Sequence, residues 1–125
     1  MITIADDKPS DHCLLTNAHA LARYAGLCVD EGLVPIVEPE ILMDGTHTIE
    51  RSHAVTERTL HFVFQALAEQ LVPLEQILLK PNMVLSGYEC PKQASVREVA
   101  ERTIQCFKRV VPAAVPGIVF LSGGQ

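Results

Sequence analysis

Apolar residues recur at steps of three and four along the first part of the chain, a spacing typical of a helix with one buried face. Ser10 is a suitable N-cap and Gly32 a suitable C-terminal stop, so the pattern predicts a helix over Asp11–Asp30. We expect its buried stripe to comprise Leu14, Ala18, Leu21, Ala25 and Cys28.

The same spacing predicts two further helices. The first spans about 50–70, and the second begins after Ser95 and continues to about Lys108. Ser95 and Glu98 match a capping box, in which the serine caps the helix and the glutamate answers it. On the first of these helices the expected apolar side carries Leu60, Phe64, Leu67 and Leu71. On the second it carries Val96, Val99, Ala100, Thr103 and Phe107.

Short apolar runs of strand length lie between the helices. They are residues 33–37 (LVPIV), 77–80 (ILLK) and 117–121 (GIVFL), with a weaker run at 2–5. Continuous apolar runs are typical of parallel strands that are buried on both faces. Pro35 has no N–H group, so its strand needs a position at which that hydrogen bond is not made. Strands that alternate with helices predict an α/β fold with a parallel sheet, in one domain over residues 1–125.

Composition excludes several classes of function. The chain has 125 residues, a net charge of -5 and 10 scattered basic residues. It has no basic stripe with interleaved aromatic residues, so we expect no nucleic-acid binding. It has no apolar stretch near the roughly 18 residues of a membrane span, and residues 1–9 lack the pattern of a signal peptide. We therefore expect a cytoplasmic protein that does not bind a membrane.

Cysteine and histidine spacing gives no metal motif. The chain has no C-x-x-C pair and no metal-spaced histidine cluster, so we expect reduced, mostly buried thiols and no metal. The residues concerned are Cys13, Cys28, Cys90 and Cys106, and His12, His19, His47, His53 and His61.

Lys80 is the first candidate for chemistry because it ends an apolar strand and precedes a proline. A lysine in that position is poorly solvated, and desolvation disfavours its ammonium form. The neutral amine is the nucleophile that Schiff-base chemistry requires. The residues alone leave open the alternative that Lys80 emerges from the strand end and extends into water.

Glu38 and Glu40 are the next candidates. Glu38 ends the strand one helix before the strand of Lys80, so the two strands should be neighbours in a parallel sheet. Both side chains would then lie at the carboxyl edge, where α/β proteins place their sites, and a carboxylate there can transfer protons in an imine reaction. Glu40 should point the same way and is a candidate accessory residue. The alternative is that both are solvated loop acids.

Ser122, Gly123 and Gly124 follow the last predicted strand. Their backbone N–H groups and the serine hydroxyl can bind an anion such as phosphate, although an ordinary flexible turn has the same composition. Residues 121–125 (LSGGQ) also resemble the signature motif of ABC transporter ATPases. Those proteins need an upstream G-x-x-x-x-G-K-[ST] loop, which residues 1–125 lack, so we set the ATPase interpretation aside.

Together and in this order, these segments resemble class I fructose-bisphosphate aldolase. The matching segments are residues 17–25 (NAHALARYA), 32–40 (GLVPIVEPE), 78–84 (LLKPNMV) and 111–125 (VPAAVPGIVFLSGGQ). The similarity extends over essentially all 125 residues without a detectable gap, which makes it more specific than any single motif. It implies a TIM (β/α)8 barrel, of which this chain would supply strands four to seven.

The resemblance also implies a reaction. Lys80 would form an imine with a ketose phosphate, Glu38 would act as general acid/base, and residues 122–124 would bind a substrate phosphate. The reaction would be the reversible Schiff-base cleavage of fructose 1,6-bisphosphate in glycolysis. It would need no cofactor and no metal, because the protonated imine is the electron sink. The implied partners are a phosphorylated sugar and the other subunits of a homotetramer.

Two departures qualify these implications. Gln76 stands where the family's active-site signature normally has glycine, so either it strains the entry to the strand of Lys80 or the turn tolerates it. The family's aspartate on strand one, lysines on strands two to four and arginine after strand eight are not found within residues 1–125. A TIM barrel typically needs about 250 residues, so we expect the isolated chain to be inactive. The alternative function is a non-catalytic truncated or spliced product that binds another protein through open sheet edges.

Overall fold

A computed structural model describes residues 1–121 of the chain. Within those residues, three α-helices alternate with two short parallel strands, which confirms the predicted α/β class. The elements are α1 (Asp11–Asp30), β1 (Ile36–Val37), α2 (Ile49–Glu69), a 3-10 helix (Leu74–Gln76), β2 (Leu78–Leu79) and α3 (Val96–Val110). None of the helices in this part of the chain combines the length and the hydrophobicity that crossing a membrane requires.

Local hydrogen bonds set both ends of α1, and its predicted bounds are confirmed. The Ser10 hydroxyl accepts the Cys13 N–H at 3.2 Å and so satisfies one of the free amides at the helix start. At the other end Gly32 has φ 74°, and the Leu33 N–H donates to the Cys28 carbonyl at 2.8 Å in a Schellman motif. The predicted stripe is buried or half-buried throughout: Leu14, Ala18, Leu21, Ala25 and Cys28.

The second helix, α2, starts and ends within one residue of its predicted bounds, but the predicted place of Leu71 on its buried side is wrong. Leu71 lies beyond the helix end with φ 56° and is 88% exposed. It occupies the left-handed position of a second Schellman motif, in which the Val72 N–H donates to the Leu67 carbonyl at 2.9 Å. Val72 therefore enters the core in its place.

The N-terminal cap of α3 is the one that its capping box predicts. The Ser95 hydroxyl accepts the Glu98 N–H at 3.2 Å. The helix continues to Val110, two residues beyond the predicted end. It packs against α2 along one side.

The predicted inward face of α3 is only half confirmed. Thr103 and Phe107 are buried and Val99 is half-buried, but Val96 is 89% exposed and Ala100 is also exposed. The helix has a packing partner on one side, so the wider apolar stripe extends past that contact and stays open in the described part of the chain.

The sheet is parallel and follows the chain order that the sequence predicts. In the β1–β2 pair, Val37 lies opposite Leu79. Single parallel bridges join Ile2 to Ile41 at one edge and Leu79 to Ile118 at the other. Four segments of the described chain therefore lie side by side, although regular pairing is limited to the two residues of each named strand.

Within the described residues, the strand run 33–37 is covered on one face only. Pro35 and Val37 are buried beneath the helices, whereas Val34 and Ile36 are 66% and 44% exposed. Successive residues of a strand point to opposite faces, and the described residues place helices on one face. Pro35 needs no N–H here, because it pairs through its carbonyl, which accepts the Leu78 N–H at 3.0 Å.

A continuous core fills the space between the sheet and the helices. Leu60 and Leu67 of α2 pack in one cluster with Val37 and Leu79 of the strands. Val37 and Leu79 are 0% exposed, and each directly precedes a candidate site residue. The core therefore fixes the backbone from which both candidate side chains extend.

Candidate active site

Glu38 and Lys80 leave the sheet at the same edge. Glu38 follows β1 and Lys80 follows β2, and the Lys80 N–H donates to the Val37 carbonyl at 2.8 Å. The carboxyl ends of parallel strands meet at one edge of a sheet, so this register brings the two side chains together. Lys80 Nζ donates to Glu38 Oε1. The predicted proximity of these two residues is thus observed, while their chemical roles stay predictions.

A small cleft of about 60 Å³ adjoins this ion pair. Glu40 lines the cleft beside Glu38, whereas Pro39 between them is buried. The two carboxylates therefore point the same way, as their spacing predicts. The other lining residues are Ile41, Met43, Lys80, Pro81, Asn82, Met83, Phe120 and Leu121. The cleft thus combines one amine and two carboxylates with largely apolar walls.

Lys80 is less isolated than its apolar strand predicts. Its side chain is 23% exposed, that of Glu38 is 40% exposed, and the two are paired. The predicted poor solvation of Lys80 is therefore only partly observed, because its side chain keeps some contact with solvent and has a charged partner.

Two threonine hydroxyls anchor the segment that follows β2. Asn82 Nδ2 donates to Thr56 Oγ1 of α2 at 3.0 Å and to the Met83 carbonyl at 3.1 Å. The Val84 N–H donates to Thr103 Oγ1 of α3 at 2.9 Å. The threonines are only 1% and 6% exposed, so water competes little for these bonds. Sequence reasoning missed these anchors, and the available signal was a threonine within the buried stripe of each helix.

The loops that follow β1 and β2 are hydrogen-bonded to each other. A Cβ added at Gly87 would lie 2.2 Å from the Gly45 carbonyl oxygen, so the two backbones cross at a distance that only glycine permits. Met43 of the first loop lines the cleft, so this crossing fixes part of one wall. The three bonds join the N–H of Gly87 to His47 (2.8 Å), that of Tyr88 to Met43 (2.9 Å) and that of Glu89 to Gly45 (3.0 Å).

His47 lies inside this loop contact. Its Nδ1 atom is buried and has no hydrogen-bond partner among the described residues. Burial, followed by the positive charge of Arg51, lowers the pKa of the His47 imidazole below its usual value. The folded state therefore favours the neutral ring.

The backbone strain that a glutamine in place of the family's glycine would cause at position 76 is not observed. Gln76 is exposed at the end of the 3-10 helix, and its N–H donates to the Pro73 carbonyl at 3.1 Å. Among residues 1–121, the non-glycine residue with a positive φ is Leu71 and not Gln76. Gln76 therefore has a backbone conformation that any residue can adopt.

Three predicted phosphate-binding residues, Ser122, Gly123 and Gly124, lie outside the described residues. Leu121, directly before them, lines the cleft. None of the residues lining the cleft in the described range is a cysteine or a histidine. Across residues 1–121, no three histidine, cysteine or acidic side chains are grouped so as to hold a metal ion.

The four cysteines are free thiols. Cys90 and Cys106 are buried, and Cys13 and Cys28 are half-buried, in agreement with the expectation of mostly buried, reduced residues. Burial, with a further contribution from the charge of Glu57, raises the pKa of the Cys106 thiol to about 12. Cys106 therefore acts as a core side chain rather than as a nucleophile.

Comparison with known proteins gives consistent matches. A family model described as "Glycolytic: Fructose-bisphosphate aldolase class-I" matches residues 1–125. The probable fructose-bisphosphate aldolase class 1 of Xanthomonas campestris pv. campestris is 60% identical over 125 residues, which are 100% of this chain and 37% of that protein. The fructose-bisphosphate aldolase of Dictyostelium discoideum is 52% identical over 99% of this chain and 35% of its own length. The chain thus spans about a third of the length of the curated relatives it matches.

A solved structure agrees with both the sequence match and the fold. Fructose-bisphosphate aldolase from Plasmodium falciparum, in a ternary co-crystal with TRAP and a small-molecule inhibitor, matches with a TM-score of 0.96. The match has 50% identity and covers 99% of this chain and 36% of that chain. The four side-by-side segments with their outer helices are therefore part of a TIM (β/α)8 barrel, as predicted. The chain belongs to the class I fructose-bisphosphate aldolase family.

Proposed function

We propose that the chain supplies the Schiff-base lysine and an acid/base glutamate to an aldolase that reversibly cleaves fructose 1,6-bisphosphate. The observation that carries this proposal is the contact between Lys80 Nζ and Glu38 Oε1 in the cleft. That cleft lies at the carboxyl edge of the sheet, which is where barrel enzymes place their active sites.

The reaction follows from the groups present. Glu38 accepts a proton from the Lys80 ammonium, and the free amine attacks the ketose carbonyl. Glu38 returns its proton to the departing hydroxyl, and loss of water gives a protonated imine at C2. The C3–C4 bond then breaks and its electron pair passes to the imine, while the C4 hydroxyl gives its proton to the Glu38 carboxylate. The products are glyceraldehyde 3-phosphate and an enamine, which is protonated and hydrolysed to dihydroxyacetone phosphate and free Lys80. The carboxylate of Glu40 adds negative charge that stabilises the cationic imine.

The cellular setting is part of the same proposal. A glycolytic aldolase of this kind would act in the cytoplasm on a phosphorylated sugar, as a homotetramer, with residues 122–124 binding a phosphate. We propose that turnover needs the complete barrel, because a TIM barrel takes about 250 residues. By this reasoning, the 125-residue chain by itself has little or no turnover.

Borohydride trapping tests the assignment. The folded chain is incubated with dihydroxyacetone phosphate and reduced, and its peptides are analysed by mass spectrometry. We expect an adduct on Lys80, its loss in Lys80→Met, and its retention in Lys108→Met, which removes an exposed lysine of α3. Persistent trapping in Lys80→Met would refute the assignment. No adduct in a sample shown by circular dichroism to be folded would mean that this chain does not perform the imine step.

One observation favours a second candidate function, a non-catalytic protein-interaction module. An apolar groove lies between α3 and the segment around Ile118, with Val96, Ile104 and Phe120 exposed by 89%, 54% and 51%. Size-exclusion chromatography separates the two candidates. A compact, stable, inactive monomer would favour the module, whereas aggregation would indicate that the groove and the sheet edges need the rest of a barrel.

A further inference from the structure

Asn82 lines the cleft of the Lys80–Glu38 pair, but its amide is hydrogen-bonded to other partners. Asn82 lines the same cleft as Lys80 and Glu38. Its Nδ2 donates to Thr56 Oγ1 at 3.0 Å and to the Met83 carbonyl at 3.1 Å, while its buried Oδ1 has no partner among the described residues. The amide is therefore held through its nitrogen alone.

Of the two acceptors of the Asn82 Nδ2 group, the Thr56 hydroxyl is the one that is distant in the sequence. Thr56 belongs to α2, 26 residues before Asn82, and is 1% exposed, so its position is set by the core. Pro81 follows Lys80 and has no N–H to donate. Along the chain, the next hydrogen bonds after that of the Lys80 N–H are therefore made by the side-chain amide of Asn82. Asn82 is the first residue after Lys80 whose side chain could rotate toward the cleft. The Thr56 hydroxyl therefore holds that side chain in place.

We propose that Thr56 is a positioning residue for Lys80, because its hydroxyl keeps the Asn82 amide away from Glu38. Without that hydroxyl the amide has a buried oxygen with no partner and a nitrogen with one acceptor fewer, an unfavourable state for a buried polar group. It turns toward the open cleft, where the carboxylate of Glu38 accepts its N–H. The neutral Asn82 amide then replaces the Lys80 ammonium as the hydrogen-bond donor to Glu38.

The consequence for catalysis rests on the proposed function, but the positioning itself does not. Lys80 paired with Glu38 is shielded on one side, and its side chain is 23% exposed. A Lys80 displaced by the amide is freer and reacts faster with an amine reagent. The rate at which Lys80 is labelled therefore reports its pairing without any substrate.

Competitive reductive methylation measures this rate. Each folded protein is treated with limiting formaldehyde and cyanoborohydride, and labelling of Lys80 is expressed relative to exposed Lys108 by peptide mass spectrometry. We expect Thr56→Val, which keeps the shape and removes the hydroxyl, to raise the ratio at least threefold. Thr56→Ser restores the hydroxyl and should restore the wild-type ratio.

A matched control separates positioning from a general loss of structure. Thr103→Val removes another buried threonine hydroxyl, the one that accepts the Val84 N–H, and should leave the ratio unchanged. Asn82→Ala should also leave it unchanged, because no amide remains to compete, and adding Thr56→Val to Asn82→Ala should have no further effect. If Thr56→Val does not fold, Thr56→Ala removes the same hydroxyl and its labelling ratio is judged by the same criterion.

Three outcomes overturn the proposal. They are equal labelling of Lys80 in folded Thr56→Val and wild type, an equal rise in Thr103→Val, and a threefold rise in Asn82→Ala. Trapping with dihydroxyacetone phosphate is scored separately on the same proteins. A wild type that is not trapped counts against the proposed function, while the labelling ratios still decide whether Thr56 positions Lys80.

Discussion

Gly87 gives a direct test of how the loops beside the candidate site are held. A Cβ at this position would lie 2.2 Å from the carbonyl oxygen of Gly45 and 2.7 Å from its carbonyl carbon. Ordinary contacts begin at 3.4 Å, so Gly87→Ala requires one backbone to move by about an ångström. No flexible side chain can absorb that movement, because both atoms belong to the main chain.

The expected loss of stability follows from the bonds at this crossing. Three backbone hydrogen bonds join the two loops, and each contributes about 1 kcal/mol net. Overpacking by an added methyl group costs about 1–3 kcal/mol on its own. We expect Gly87→Ala to lower the free energy of unfolding by about 3 kcal/mol, a large share of the roughly 5–15 kcal/mol of a typical domain.

Urea unfolding, followed by circular dichroism, measures this change, provided that the denaturant slope stays constant. Gly26→Ala is the matched control, because Gly26 lies within α1 and its added Cβ would meet only a Val72 methyl group at 3.7 Å. That substitution should raise the free energy of unfolding by about 0.5–1 kcal/mol, since alanine favours helix. If Gly87→Ala were as stable as wild type, the close crossing of the loops would be refuted.

Three further predictions concern stability and reactivity. Leu71→Gly should raise the free energy of unfolding in urea by about 0.5–1 kcal/mol, because Leu71 is 88% exposed and has φ 56°; an unchanged value would contradict the strain. Burial lowers the pKa of His47, so the stability it contributes is present above the unfolded pKa of about 6.5 and is lost as pH falls below it. The wild type should therefore lose more stability than His47→Gln between about pH 7.5 and about pH 5.5, and parallel profiles would exclude this role. Burial raises the pKa of Cys106 to about 12, so iodoacetamide should modify half-buried Cys13 well before Cys106 in the folded protein, as mass spectrometry can show.

Helix ends were predictable where a local residue carries the signal. Ser10 and Gly32 set the bounds of α1 through contacts within a few residues, so the printed sequence contains the whole cause. Leu71 shows the limit of this reasoning. It occupies the position where a glycine is usual, and without that glycine the pattern of apolar residues placed it on the helix face.

Strand burial was harder to predict because it depends on what lies across the sheet. Val34 and Ile36 belong to a run that is typical of a strand covered on both sides, yet they are exposed in the described residues. Apolar periodicity states which residues can be buried and does not state which partner covers them. The proximity of Glu38 and Lys80 was predictable for the opposite reason, since parallel strands in chain order determine which ends meet. The bond from Thr56 to Asn82 was not, because no spacing rule connects a helix residue with a loop 26 residues later.

The proposed function separates imine formation from complete turnover. The register of two neighbouring strands creates the contact of Lys80 with Glu38, and the buried residues behind it belong to the same described chain. The imine step needs an amine, a carboxylate and a carbonyl compound, and the cleft supplies the first two. Cleavage of a doubly phosphorylated sugar needs in addition that both phosphates be held. Among residues 1–121 the one cationic side chain in the cleft lining is Lys80, which the imine step itself uses. On the proposed function we therefore expect Lys80 to react with a small carbonyl compound even in a chain that does not turn over fructose 1,6-bisphosphate.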